Sequence, residues 1–88
     1  MAKQLKLLIL NASVAERETI KTTLNKLNVF TFIEASDSQD ALKILKSHPV
    51  DIIITGLEVG KIDGWRFSRM IRSGLLKTPK NTPILLTP

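Results

Sequence analysis

The 88-residue sequence predicts a single α/β domain built on a three-layer, doubly wound parallel sheet. Short apolar runs of strand length alternate with segments of helical periodicity in the order βαβαβαβ. The connections are short, and right-handed crossovers between successive strands produce a parallel sheet with helices on both faces. Residues 52–54 are three consecutive isoleucines, as expected of a central strand that is covered on both faces.

Four segments have the composition of strands. The first is a short apolar run, the second is β-branched and aromatic, and the third contains the three isoleucines. Pro83 lies at the start of the fourth segment, where its missing N–H is tolerated. The predicted strands cover residues 5–10, 29–34, 50–55 and 82–87.

Three segments have the spacing of amphipathic helices. Two of them open on capping boxes, in which Ser13 is followed by Glu16 and Ser36 by Gln39. The third opens at Asp63, a carboxylate suited to a helix N-terminus. The predicted helices cover residues 13–27, 36–47 and 63–73, and the side chains predicted to face the core are Ile20, Leu24, Leu27, Ala41, Leu42, Ile44, Leu45, Phe67, Met70 and Ile71.

The composition excludes several classes of function. The chain has no cysteine, which rules out disulfides, zinc–thiolate sites and thiol catalysis. The apolar run at residues 7–10 is too short for a signal-peptide core or a membrane span. We therefore expect a cytoplasmic protein that does not act in the membrane.

The net charge of +5 comes entirely from the last third of the chain. Residues 1–60 carry seven basic and seven acidic side chains, whereas residues 61–88 carry six basic side chains against Asp63 alone. This asymmetry indicates either an acidic or nucleic-acid partner, or a solvated helix face followed by a lysine-bearing loop. The solvated face is favoured, because no nucleic-acid motif or aromatic interleaving accompanies the charge. The basic residues are Lys61, Arg66, Arg69, Arg72, Lys77 and Lys80.

Nucleotide and transition-metal sites have no support in the sequence. The turn after the first strand, NASVAER, has no glycine, so dinucleotide and P-loop motifs are absent. Gly56, Gly60 and Gly64 recur at a spacing of four and are interpreted as turn glycines. His48 is the only histidine and is predicted to be a solvent-facing turn residue. Trp65, at the start of the third helix, is either a packing residue or an anchor for a partner.

Polar residues near the strand ends are the remaining candidates for a site. Asp51 starts a strand and is predicted to be solvated at the amino edge of the sheet. Glu58 is the only carboxylate in the loop after the third strand, and a surface role is favoured for it. Thr87 ends the fourth strand at the same edge as Asn11 and Gly56, where ligands bind in open α/β folds.

Taken together, these stretches resemble the receiver domain of two-component response regulators along the whole chain. The first strand and its turn are LKLLILNAS, and EASDSQDALKIL resembles the second strand and second helix. The third strand, its loop and the third helix are VDIIITGLEVGKIDGWRFSRMIR, and the fourth strand is TPILLTP. The Asp63-Gly64 pair is the most specific marker, because its spacing sets the register of the loop. The resemblance implies a flavodoxin-like fold.

The resemblance also assigns roles by position. The phosphoacceptor position, eight residues before Gly64, is occupied by Gly56. The two carboxylates that hold magnesium in the family fall on Asn11 and Ala12, and the switch hydroxyl falls on Thr87. Magnesium needs hard oxygen ligands that usually include carboxylates, and glycine supplies no nucleophile. We therefore expect a pseudo-receiver that is not an enzyme, binds no cofactor and has lost the magnesium site.

Three hypotheses for function follow. The first is a phosphorylation-independent module that binds signalling proteins or an output domain. The second is a receiver phosphorylated at an unorthodox residue such as Thr55 or Glu58. The third, nucleic-acid binding, is disfavoured because receiver-like folds delegate DNA contact to a separate domain. The predicted partner surface comprises Arg66, Arg69, Arg72, Lys77, Lys80, Ile84 and Leu86.

Family receivers continue through a fourth helix, a fifth strand that carries a lysine, and a fifth helix. The 88 residues, treated as one domain, therefore correspond to about the first three quarters of a receiver by this resemblance. Residues 84–86 are predicted to form an unpaired apolar edge, which invites pairing with another chain. The alternatives are a fragment of a longer protein, an edge covered by a partner, or a homodimer through the fourth strand.

Overall fold

The computed structural model describes residues 4–60, 62–74 and 81–87, which form a four-stranded sheet and three helices. The strand order is β2-β1-β3-β4, and all three pairings are parallel. The predicted α/β fold class is confirmed. The elements are β1 (Leu5–Leu10), α1 (Val14–Asn25), β2 (Phe30–Ala35), α2 (Ser38–Ser47), β3 (Ile52–Gly56), α3 (Gly64–Arg72) and β4 (Ile84–Thr87).

The parallel register brings the ends of the strands to one edge. Leu10 pairs with Ala35 on one side and with Thr55 on the other, and Gly56 pairs with Thr87. The loops that follow β1 and β3 therefore meet at the carboxyl edge of the sheet, at its centre. This is the position at which open α/β sheets bind their ligands.

The core lies on both faces of the sheet, because alternate residues of each strand point to opposite sides. Leu8, Leu10 and Ile53 face α2 and α3, where they join a cluster that contains the fully buried Phe67 and Ile71. The smaller cluster lies on the α1 face and consists of Leu7, Ile9 and Ile54, with Ile20 and Leu24 packed against it. The arrangement has the three predicted layers.

The second predicted capping box is wrong. Helix α2 is capped by Asp37, whose Oδ1 accepts a hydrogen bond of 2.9 Å from the Asp40 backbone N–H. Ser36 instead donates its hydroxyl to Asp40 Oδ2 at 3.2 Å. The helix therefore starts at Ser38, two residues later than predicted, and the Ser38 N–H, which has no partner within the helix, donates to the Val59 carbonyl in the loop after β3 at 2.7 Å.

Two side chains predicted to face the core do not. Leu27 is 59% exposed because α1 ends before it, at Asn25. Met70 is 37% exposed, since it lies one residue before the buried Ile71 and is therefore about 100° around the helix from it. Both positions leave apolar surface in contact with solvent.

The predicted ends of the elements are otherwise accurate to one or two residues. β2 starts at Phe30, and β3 and β4 each begin two residues later than predicted. His48 is exposed, as predicted, and follows the last residue of α2. Asp51 lies at the amino edge but is not only solvated, because its Oδ2 accepts a hydrogen bond of 2.7 Å from the Lys6 backbone. Among the described residues, no helix is long and apolar enough to cross a membrane.

Candidate functional site

The candidate site is an open cavity of about 370 Å³ at the carboxyl edge of the sheet. Its walls come from the end of β1 and from β3 with the loop that follows it, as the parallel register requires. The lining residues are Asn11, Gly56, Leu57 and Glu58. The predicted site residues Asn11 and Gly56 are therefore brought together, while Ala12 is exposed beside them.

Asn11 is 8% exposed, and both polar atoms of its side-chain amide are bonded within the chain. Its Oδ1 accepts a hydrogen bond of 2.8 Å from the Ser13 backbone. Its Nδ2 donates to Glu16 Oε2, also at 2.8 Å. Ser13 caps α1 as predicted, accepting from the Glu16 backbone, but the Glu16 carboxylate bonds Asn11 rather than closing the capping box. The amide is thus held by a carboxylate in the first turn of α1.

A chain of charged side chains supports this loop from the α1 side. The Arg17 guanidinium donates to the Asn11 backbone carbonyl and to Glu34 Oε1, the latter at 3.2 Å. Lys21 bonds the other oxygen of Glu34 at 3.0 Å and lies 3.4 Å from Glu18. The Lys21 hydrogen bond lowers the pKa of Glu34, and Glu34 in turn raises the pKa of Lys21. The loop conformation therefore depends on side chains from α1 and β2.

The contact between Gly64 and Gly56 accounts for the eight-residue spacing between the end of β3 and the Asp63-Gly64 pair. The Gly64 N–H donates to the Leu57 carbonyl at 2.9 Å. A Cβ atom at this position would lie 2.6 Å from the Gly56 carbonyl oxygen, a distance that real Cβ atoms essentially never show. The start of α3 therefore packs directly on the end of β3, and only glycine permits this approach. Asp63 caps the helix as predicted, accepting from the Arg66 backbone at 2.8 Å.

Gly56 is not required by sterics. A Cβ atom added there would make ordinary contacts, 3.5 Å from Asn11 Nδ2 and 3.7 Å from Val59 Cγ1. The backbone φ of Gly56 is not in the positive range. The site could accommodate a side chain at this position, and the glycine contributes only backbone atoms to the cavity.

The hydroxyl groups near the cavity are bonded to backbone carbonyls. Thr55 is fully buried, and its Oγ1 donates to the Gly56 carbonyl at 2.9 Å. Thr87 lies beside Gly56 in the register, as predicted, but its hydroxyl donates to the Thr55 carbonyl at 3.4 Å. Glu58 is exposed and is the one carboxylate that lines the cavity.

The side chains of this edge do not fit a magnesium ion. Magnesium is usually held through one or two carboxylates together with other hard oxygen ligands. Here the amide of Asn11 is engaged by Ser13 and Glu16, and Gly56 has no side chain. Among residues 4–60, 62–74 and 81–87, no group of three acidic or histidine side chains could hold a metal ion.

Helix α3 presents a second concave surface. Arg66 and Arg69 are exposed and, with Ile62 and Met70, line a groove of about 300 Å³. Trp65 is 64% exposed at the start of the helix, so it is not a packing residue over the loop. We name this surface the α3 groove.

The other predicted partner residues differ in their surroundings. The Arg72 guanidinium donates to the Thr82 carbonyl at 2.7 Å and so ties α3 to the segment before β4. Lys77 and Lys80 lie outside the described residues. Arg72 therefore has a structural contact that Arg66 and Arg69 do not share.

The edge strand β4 exposes a different residue from those predicted. Ile84 packs against the larger core cluster, and Leu86 is half-buried on the same side, next to Gly64. Leu85 faces the α1 side and is 59% exposed, because successive strand residues alternate in direction. It borders an apolar groove of about 280 Å³, lined by Thr19, Ile20, Thr23, Leu24, Ile54, Leu85 and Thr87.

The strand order and the position of the site define a doubly wound α/β domain of the flavodoxin-like class. The family model of the response regulator receiver domain matches residues 7–87, and the chain belongs to this family. The protein is therefore a receiver domain of two-component signalling.

The relatives include chemotaxis regulators. The chain is 28% identical over 87 residues to a probable chemotaxis protein of Rhizobium etli, with 99% of this chain and 67% of that protein covered. It matches the structure of a chemotaxis response regulator of Vibrio cholerae with a TM-score of 0.81 and 26% identity, covering 96% of this chain and 68% of that chain. A putative response regulator from Chloroflexus aurantiacus has the same fold, with a TM-score of 0.86, 24% identity, and 96% and 66% coverage. The chain spans about two thirds of the length of these relatives.

Proposed function

We propose that this receiver domain acts without phosphorylation, as a protein–protein interaction module that binds signalling proteins or an output domain. The observation that carries the proposal is the pair of Asn11 and Gly56 at the carboxyl edge. The cavity between them contains an engaged amide and a residue with no side chain. Phosphoryl transfer requires a nucleophile in line with the donor and electrostatic stabilisation of the transferring group. Neither is supplied by these two residues.

The unorthodox acceptors have little support. Thr55 is fully buried, and its hydroxyl is bonded to the Gly56 carbonyl. Glu58 is accessible, but it is the one carboxylate in the cavity, so magnesium would have a single anionic ligand. The scaffold, by contrast, is complete around the site, with caps on all three helices and a buried core on both faces of the sheet.

The proposal is tested by incubating the protein with acetyl phosphate and magnesium and then measuring its intact mass. We expect no added phosphoryl group and no change in melting temperature when magnesium is added, because binding to the folded state alone would raise it. A phosphorylatable receiver treated in parallel is the positive control. Phosphoryl mass that disappears in the Glu58→Gln variant would replace the proposal with phosphorylation at an unorthodox residue.

We also propose that β4 mediates self-association. Within the described residues, β4 pairs only with β3, so its outer edge offers unpaired backbone groups beside the exposed Leu85. A second copy of the chain would continue the sheet and cover this side chain. Both faces of β4 carry apolar side chains, Ile84 on one and Leu85 on the other, which supports pairing with a second copy.

The self-association is measured by sedimentation velocity over a range of concentrations. We expect a monomer–dimer equilibrium that Leu85→Lys weakens about ten- to hundredfold, the value of one buried leucine side chain. The matched control is Leu27→Lys, which introduces the same charge at an equally exposed leucine after α1. A wild-type protein that stays monomeric at high concentration would contradict the proposal.

A further inference from the structure

We propose that the α3 groove binds an acidic segment of a partner protein that carries an apolar anchor side chain. This inference rests on the proposed function only in its protein–protein mode, and it does not depend on whether the domain is phosphorylated. It is carried by the combination of two guanidinium groups and two apolar side chains in one concavity.

The charges of the groove lack a partner within the described part of the chain. Arg66 and Arg69 are three residues apart on α3, so their side chains are neighbours on the helix surface. No described carboxylate forms an ion pair with either of them. Asp63, the acidic residue just before the helix, uses its carboxylate to cap the Arg66 backbone N–H. Within the described residues, the positive charge of the two guanidinium groups is therefore not neutralised by an ion pair.

The apolar half of the groove favours a protein partner over a nucleic acid. Ile62 packs against the core, and Met70 is 37% exposed. Methionine adapts to different apolar groups because its side chain is unbranched and flexible. Phosphates would use the two arginines and leave this surface bare, whereas an amphipathic acidic segment would use both.

The geometry of the guanidinium groups specifies the charged half of the ligand. Arginine pairs with carboxylates through two parallel hydrogen bonds, which fixes orientation as well as charge. Two arginines one helical turn apart match two carboxylates that flank one apolar side chain. The ligand class is thus a short segment with glutamate or aspartate on both sides of a leucine-like residue.

The test uses fluorescence anisotropy with a labelled peptide in which one leucine is flanked on both sides by glutamates. We expect binding that weakens about tenfold in Arg66→Gln/Arg69→Gln, because two charge-assisted contacts are lost. The matched control is Lys43→Gln/Lys46→Gln, which removes the same charge from exposed positions on α2 and should leave the affinity unchanged. A peptide with serine in place of the leucine should bind at least about tenfold more weakly. Trp65, the single tryptophan, gives a label-free signal next to the groove.

Each other outcome would overturn the inference. Equal losses in the arginine and lysine variants would indicate general charge attraction. Undiminished binding of the serine peptide would show that no apolar anchor side chain is needed. Tight, salt-sensitive binding of a mixed-sequence DNA duplex, with no peptide binding, would indicate a nucleic-acid surface. Failure of the peptide to bind would contradict the binding role proposed for the α3 groove, while the result of the phosphorylation test would not change.

Discussion

Gly64→Ala is expected to lower the free energy of unfolding by about 2 kcal/mol, with a fall in melting temperature of roughly 8–16 °C. The added Cβ would lie 2.6 Å from the Gly56 carbonyl oxygen and 3.3 Å from Leu57 Cα. Both are backbone atoms, so neither can move aside by a change of rotamer. The higher helix propensity of alanine opposes this cost, but it contributes little at the first residue of α3.

The matched control is Gly56→Ala, the same substitution at the glycine whose carbonyl oxygen lies next to Gly64. Its Cβ would make contacts of 3.5 Å or longer, and alanine restricts the unfolded chain, so stability should stay the same or rise by up to about 1 kcal/mol. Thermal and urea unfolding of both variants measure the contrast. Equal stability of the two variants would show that α3 does not pack on β3 as described.

The strand and helix pattern was predictable because it depends on local periodicity. The consecutive isoleucines at residues 52–54 identified the buried strand, and Asp63 was correctly predicted as the cap of α3. At the start of α2, Asp37 rather than Ser36 is the N-cap, and the Ser38 N–H bonds the carbonyl of Val59, 21 positions further along the chain. Local capping rules contain no information about that contact.

The site was predictable in outline and not in its contacts. The resemblance placed Asn11, Gly56 and Thr87 at one edge, and the parallel register brings them there. Glu16 was assigned only to a capping box, because a sequence does not reveal which of two nearby donors a carboxylate will bond. Arg17 and Glu34 were missed because their contact joins α1 to β2 across 17 positions. The available signal was a carboxylate five positions after the amide, in the first turn of α1.

The exposed face of β4 was also outside the reach of the sequence. Alternation along a strand separates Leu85 from Ile84 and Leu86, but it does not say which set faces α2 and α3 and which faces α1. The structure puts Ile84 against the larger core cluster, because α2 and α3 lie on that side. The fourth strand has an apolar edge as predicted, but the exposed residue on it is Leu85 rather than Ile84 or Leu86.

Asn11→Asp is expected to lower the free energy of unfolding by about 2 kcal/mol at neutral pH. The substitution preserves the acceptor for the Ser13 N–H but replaces the donor to Glu16 with a second carboxylate. A charge-assisted hydrogen bond is lost, and two like charges come to face each other at the separation of the present 2.8 Å contact. Glu16 is exposed, so water screens part of the repulsion and keeps the loss moderate.

The loss of unfolding free energy in Asn11→Asp should depend on pH, and its direction can be stated. Two facing carboxyl groups do not ionise independently, and the pair acquires a pKa above the ordinary value of an acidic side chain. The folded variant then binds more protons than the unfolded chain, so its stability relative to the wild type is highest in acid. It falls as the pH rises through the raised pKa. Urea unfolding of both proteins between about pH 4 and 8 measures this difference.

Glu16→Gln in the same chain should restore most of the loss, because the glutamine amide can donate to the new carboxylate with the polarity of the original bond reversed. Glu18→Gln is the control, since Glu18 lies on the same helix and contacts Lys21 rather than Asn11. Rescue by both substitutions would mean that only net charge matters. Rescue by Glu16→Gln alone would show that the loop after β1 is built around the Asn11 amide, with the Glu16 carboxylate of α1 as its partner.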